Sequence, residues 1–216
     1  MSWEEIPGWF GFRETYDEFV ELAEDGDTIV EIGVAFGRSL AYLLRGLIDA
    51  RKKCTVWACD PWVDDWWQPP NNYPLDAPRP TWGGEYAEEA RKLGGPFPAF
   101  CHYMLTHARE EMGYPGLRVF KGYNHELSPA LASTQGAPRF VMIDGNHNYE
   151  QVKLDIGRWW SCATHTCSCG APGCGRMGDT ILAGDDYSPD FPGVVKAVDE
   201  RFPNREVRGT TWLVRT

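Results

Sequence analysis

Three aspartates and a histidine stand where a chain could do chemistry. Phe140-Val141-Met142-Ile143-Asp144-Gly145-Asn146-His147-Asn148-Tyr149 is an apolar run that ends in a carboxylate and a turn, and Thr180-Ile181-Leu182-Ala183-Gly184-Asp185-Asp186-Tyr187 repeats that layout. Short apolar runs closed by turn residues read as buried strands. As neighbours in a parallel sheet, such strands end about 5 Å apart. Asp144, Asp185 and Asp186 then converge at the carboxyl edge, where sheets of this kind bind ligands. Three crowded carboxylates repel one another unless one is protonated or a cation lies between them. A hard, oxygen-seeking ion such as Mg²⁺, completed by water, suits that set. The plainer alternatives are helix-capping carboxylates for Asp185-Asp186 and a structural role for a lone loop histidine, His147.

A second constellation lies near the N-terminus. Val30-Glu31-Ile32-Gly33-Val34-Ala35-Phe36-Gly37-Arg38-Ser39 follows a strand and opens a helix. Glycines there let the chain turn sharply and let a ligand approach the backbone. The spacing is E-x-G-x-x-x-G, not the G-x-G-x-x-G of dinucleotide sites. The difference is chemical, because the Glu31 carboxylate repels a pyrophosphate but suits a ligand carrying an ammonium group and a sulfonium. Asp60, at the end of the next strand, is placed to accept hydrogen bonds from ribose hydroxyls. The alternative is an ordinary strand–turn–helix in which Glu31 is incidental.

The elements that must hold these residues alternate along the chain. Residues 13–24 space their apolar side chains as a helix, Thr28–Ile32 is a strand, 39–50 a helix, and 55–59 a strand ending at Asp60. A Pro-, Trp- and Gly-rich stretch covers 61–98, and residues 99–112 look helical. Strands follow at 117–120, 139–143 and 180–183, helices at 149–160 and 193–202, and a hairpin at about 205–216. Alternating strands and helices imply parallel pairing through right-handed crossovers. The expectation is an α/β fold: a Rossmann-like, doubly wound, mostly parallel seven-stranded sheet with a C-terminal antiparallel hairpin, forming a single domain over 1–216.

Composition narrows the partners. The chain of 216 residues carries 43% hydrophobic and 24% charged residues, as soluble globular domains do. Its net charge of −10 disfavours a nucleic-acid surface, which needs clustered Lys and Arg. Apolar runs fall far short of the roughly 18–20 residues a membrane span requires. The acidic start lacks the layout of a signal peptide, so a cytoplasmic protein is the expectation. Oligomeric state is open and leaves room for a homo-oligomer.

On these residues the chain resembles the class I S-adenosylmethionine-dependent methyltransferases. Glu31-Ile32-Gly33, Gly37-Arg38-Ser39 and Asp60 look like that superfamily's first two motifs. The resemblance implies that the glycine turn holds the methionine part of S-adenosylmethionine, that Ser39 bonds its carboxylate and Asp60 its ribose, and that adenine lies near Gly122, Tyr123 and Asn124. Ile143-Asp144-Gly145, His147, Tyr149, Ala183-Gly184-Asp185-Asp186-Tyr187 and Pro192-Gly193-Val194 are similar to the macrocin-type sugar O-methyltransferases and to related small bacterial and phage methyltransferases. That likeness implies magnesium on Asp144, Asp185 and Asp186, His147 as the base, and a hydroxylated small molecule or glycoside as acceptor. A same-fold enzyme with another acceptor or chemistry, or a non-catalytic binding protein on a cofactor fold, are the competing expectations.

Two segments stand apart. The stretch 61–98, with Trp62, Trp66, Trp67 and Trp82, is either a lid over the acceptor or a surface cover. The insertion 161–178 crowds Cys162, His165, Cys167, Cys169 and Cys174, four of the chain's seven cysteines. Structural zinc, free thiols and disulfides all remain open for it.

Overall fold

The computed structural model describes residues 2–63, 84–127, 137–164 and 180–216. Seven strands form one sheet: β1 (Thr28–Ile32), β2 (Thr55–Asp60), β3 (Leu117–Lys121), β4 (Phe140–Ile143), β5 (Ile181–Gly184), β6 (Glu206–Arg208) and β7 (Thr211–Arg215). Their order is β3-β2-β1-β4-β5-β7-β6. The first five pair in parallel, while β7 runs antiparallel to both β5 and β6. The Rossmann-like sheet and terminal hairpin are those expected from the sequence.

Helices cover both faces, so the central strands are buried throughout. Alternate residues serve opposite layers. Ile29, Ala58, Phe140, Met142 and Ala183 pack with α1 (Arg13–Leu22), α2 (Arg38–Asp49) and α4 (Pro96–His107). Val30, Ile32, Val141, Ile143 and Leu182 pack with α6 (Tyr149–Thr164) and α7 (Pro192–Arg201). In α2, Leu40, Leu43, Leu44 and Leu47 recur on one helical face and are fully buried. Burying each contributes about 2 kcal/mol. Glu18 of α1 takes ion pairs from Arg208 of β6 and Arg215 of β7, which ties the first helix to the terminal hairpin.

The stretch 61–98 departs from its irregular expectation. Within it runs α3 (Gly84–Lys92), and α4 begins at Pro96 rather than 99; a short α5 (Arg109–Met112) follows. Glu, Ala, Arg and Lys in 84–92 are good helix formers, but the helix is largely polar, with only Tyr86, Ala87 and Ala90 on its apolar side. Gly94 and Gly95 take positive φ before Pro96 starts the next helix. Trp66, Trp67 and Trp82 lie outside the described residues. Among the described residues, no helix is long and apolar enough to cross a membrane.

Candidate active site

Strand register brings the two constellations together. Ile32 pairs with Ile143, and Ile143 with Gly184. The residues that leave this row are therefore Gly33, Asp144 and Asp185, side by side at the carboxyl edge. Main-chain bonds continue there, from Asp144 N–H to the Ile32 carbonyl (2.8 Å) and from Asp185 N–H to the Ile143 carbonyl (3.2 Å). Gly33 has φ +84°, and a Cβ there would overlap the Asp144 carbonyl. Only glycine fits this joint, for both conformational and steric reasons.

The glycine turn is fastened from below. Glu31 is 0% exposed, and its Oε1 accepts the Ser39 hydroxyl at 2.5 Å. Its Oε2 is also buried, close to the Tyr16 hydroxyl of α1. Burial pushes the Glu31 carboxyl up to about 7, against the opposing pull of the Ser39 bond. Tyr16 of α1 is buried beside it, its hydroxyl pushed to higher pKa by burial and then by the negative charge of Glu31, Asp144 and Asp185. Asp60 accepts main-chain N–H groups from Val34 (3.0 Å), Ala35 (3.0 Å) and Trp62 (2.6 Å). These bonds oppose the upward shift that burial imposes on it. The Trp62 indole N–H donates to the Ala35 carbonyl at 2.7 Å, closing the loop between turn and strand end. Asp60 thus spends three acceptor positions on the backbone, and Ser39 is turned to Glu31. Gly122 N–H bonds the Asp60 carbonyl at 3.0 Å. Asn124 is buried, donates to Asp155 of α6, and leaves its Oδ1 without a partner.

At the β4 and β5 ends, ligand atoms of Asp144, His147 and Asp186 lie within 4.8 Å of one another. His147 Nε2 is 2.6 Å from Asp186 Oδ2, and the His147 side chain is 45% exposed. Its ring lies 4.6 Å from that of Phe191. Gly193, at the start of α7, lets the helix lie against the loop, since a Cβ there would stand 2.5 Å from the His147 carbonyl. Burial, then the charges of Asp186 and Asp185, push Asp144 well above the ordinary carboxylate range. Asp185 is raised by burial but turned aside: its Oδ1 accepts the hydroxyls of Thr210 (2.7 Å) and Thr211 (3.4 Å). A hollow of about 10 Å³, the room of a single water, is lined by Asp144, His147, Asp185 and Asp186 among others.

Some of this could not be read from the sequence. Thr210 and Thr211 orient Asp185 from the terminal hairpin, and nothing in their spacing signals it. The segment before α1 also crosses the site: the Gly8 carbonyl accepts from Arg38 at 2.6 Å, and a Cβ on Gly11 would lie 3.8 Å from Asp185 Oδ2. Between them Trp9 is 63% exposed and packs edge-on against Tyr86 at 4.5 Å. Of the cysteines and histidine of the insertion only Cys162 is described, near the end of α6; His165, Cys167, Cys169 and Cys174 lie outside the described residues.

Comparison with known proteins agrees with this fold. The sequence profile of a methyltransferase-domain family matches residues 30–168, more than half of the chain. No curated protein is significantly similar in sequence. Among solved structures, CalS11, a calicheamicin methyltransferase, superposes with TM-score 0.54 at 14% identity, covering 94% of this chain and 76% of its own. The O-methyltransferase NovP gives TM-score 0.55 at 17% identity over 94% and 78%. Cofactor-bound Rv0187 from MTB gives 0.51 at 16% identity over 96% and 80%. At such identities the structural likeness speaks to the fold, and the profile speaks to the family. The chain belongs to the methyltransferase-domain family and is a class I, S-adenosylmethionine-dependent methyltransferase.

Proposed function

We propose that the enzyme is a metal-assisted O-methyltransferase whose acceptor is a hydroxylated small molecule. The observation that carries this is the joint between Gly33 and Asp144, which sets the glycine turn against the Asp144–His147–Asp186 group. The donor set fits a cation, since two carboxylates and an imidazole offer atoms within 4.8 Å of one another. The turn fits a cationic methyl donor, since the Glu31 carboxyl, held by Ser39 and beside Tyr16, lies buried beneath it.

Methyl transfer to a hydroxyl makes an O–CH₃ bond, breaks the S–CH₃ bond and releases the hydroxyl proton. S-adenosylmethionine supplies the electrophilic methyl, and a divalent cation supplies Lewis acidity that lowers the pKa of the acceptor hydroxyl. The chain's own contribution is position. Asp60 and the Trp62 indole hold the glycine turn in one shape. Glu31 and Tyr16 supply a buried, negatively biased floor. Asp144 and Asp186 would hold the cation, and His147, or an aspartate of the cluster not engaged with it, would take the released proton. The segment carrying Trp9 and Gly11 passes beside Asp185, where it could border an acceptor. The net charge of −10 favours a small acceptor over a nucleic acid.

The test is a panel of hydroxylated and amine-bearing small molecules incubated with S-adenosylmethionine, with and without EDTA. Mass spectrometry is expected to show methyl gain on oxygen that EDTA abolishes. Methylation of amines alone, or turnover indifferent to EDTA, contradicts the proposal.

A further inference from the structure

We infer that Trp9 binds the acceptor and selects a flat aromatic ring, so that the hydroxyl methylated is a phenolic one. This rests on the O-methyltransferase reading above and names its substrate class.

The strap before α1 is fixed at both ends and open between them. Ile6 and Phe12 are buried in the core. The Gly8 carbonyl is held by Arg38, the first residue of α2 after the glycine turn. Further on, a Cβ on Gly11 would lie 3.8 Å from both Asp185 Oδ2 and Thr210 Oγ1. Burial alternates between these points. Phe10 and Phe12 turn inward against Tyr16 and Tyr42, while Trp9 and Gly11 are exposed. A period of two puts Trp9 and Gly11 on one side of the strap, and Gly11 presents that side to Asp185. Two residues of extended chain span about 7 Å, the scale of one substituted ring.

Neighbouring rings set the angle of the indole. Trp9 meets Tyr86 of α3 edge-on at 4.5 Å, and Tyr86 meets Phe36 of the glycine turn edge-on at 5.9 Å. A row of rings thus runs from the turn that faces the methyl donor to the strap beside Asp185. Trp9 is nevertheless 63% exposed. An indole already braced at its backbone and one edge loses little freedom when a ligand stacks on it.

The chemistry of this side favours an aromatic ring over a sugar. Its one hydrogen-bonding side-chain group is the indole N–H, since Gly11 has no side chain and the Gly8 carbonyl is taken by Arg38. Each sugar hydroxyl removed from water needs a partner. An aromatic face needs none and gains ring–ring contact. Gly11 leaves room for a ring substituent to reach the carboxylate edge. Transfer then forms the O–CH₃ bond, breaks the S–CH₃ bond and passes the phenolic proton to His147 or the aspartate named above.

The experiment uses full-length enzyme carrying 5-fluorotryptophan at its ten tryptophans and three probes: catechol, cyclohexane-1,2-diol and methyl α-glucopyranoside. The ¹⁹F line missing from Trp9→Phe belongs to Trp9, and the other lines staying in place show that the variant is folded. Catechol is expected to shift the Trp9 line and to be methylated, with KM at least tenfold below those of the two saturated probes. Trp9→Ala is expected to raise the catechol KM at least tenfold and to change that of S-adenosylmethionine less than twofold, and Trp9→Phe to recover catechol KM to within threefold of wild type. Catechol methylated with the Trp9 line and KM unmoved overturns the role of Trp9 and leaves O-methylation standing. Preference for the glucoside overturns the aromatic class alone. A shifted Trp9 line without methyl transfer keeps the ring-binding surface and overturns the phenolic reaction. No shift and no transfer with any probe overturns the inference entirely.

Discussion

Around the glycine turn the protein answers its own polar groups: Asp60 takes three main-chain N–H groups, and Ser39 holds one oxygen of Glu31. Around the β4 and β5 ends, Asp144 faces the like charges of Asp185 and Asp186, and burial raises both Asp144 and Asp185. The first region is a rigid cradle whose shape the sequence itself maintains. The second is held under electrostatic repulsion, which a cation would relieve. On the proposed function, the methyl donor would meet a formed turn, whereas a metal would also offset crowded negative charge.

The sharpest way to break that division is at the joint. Gly33→Ala places a methyl group into the Asp144 backbone at φ +84°. It is expected to destabilise the protein by about 3 kcal/mol or more, as positive-φ strain and overpacking act together. Urea denaturation measures this, and a loss below about 1 kcal/mol would show that the two ends are not locked together.

The cradle can also be probed by pH. Glu31 rises from an ordinary 4.5 to about 7 on folding. The native state therefore binds more protons than the unfolded chain between those values, and stability falls as pH rises through that window. The contribution present below pH 4.5 and lost above about 7 is on the order of 3 kcal/mol. Glu31→Gln is expected to flatten this slope in denaturation curves taken from pH 5 to 8, while weakening S-adenosylhomocysteine binding in calorimetry. An unchanged slope would show that Glu31 does not titrate in the native protein.

Smallest of the three is the effect of Thr210→Val, which removes one hydroxyl from Asp185 Oδ1. A loss of about 1 kcal/mol is expected in urea denaturation. No loss would show that the hairpin does not hold Asp185.

How much of this was legible in the sequence follows the same line. The strand ends were readable because Thr28–Ile32, Phe140–Ile143 and Ile181–Gly184 are short apolar runs closed by glycine or aspartate. Parallel pairing then placed Gly33, Asp144 and Asp185 together without further information. The different fates of Asp185 and Asp186 were not readable. Their sequence is symmetrical, and Thr210 and Thr211, about 25 residues away, decide which one turns aside. Nor was the aromatic strap before α1, since Trp9 meets Tyr86 only through the tertiary fold. Helix α3 was hidden by its polarity and its shortness, beside a Pro-, Trp- and Gly-rich stretch that reads as irregular.

The central claim is that the carboxylates at the ends of β4 and β5 hold a cation beside the methyl donor. Nuclear magnetic resonance of S-adenosylmethionine labelled with ¹³C in its methyl group, titrated with Mn²⁺ on the enzyme, tests it most directly. Neighbouring strand ends are about 5 Å apart, so the account predicts severe broadening of the bound methyl signal that Asp144→Asn abolishes. A bound methyl signal that stays sharp with Mn²⁺ on the protein would contradict it.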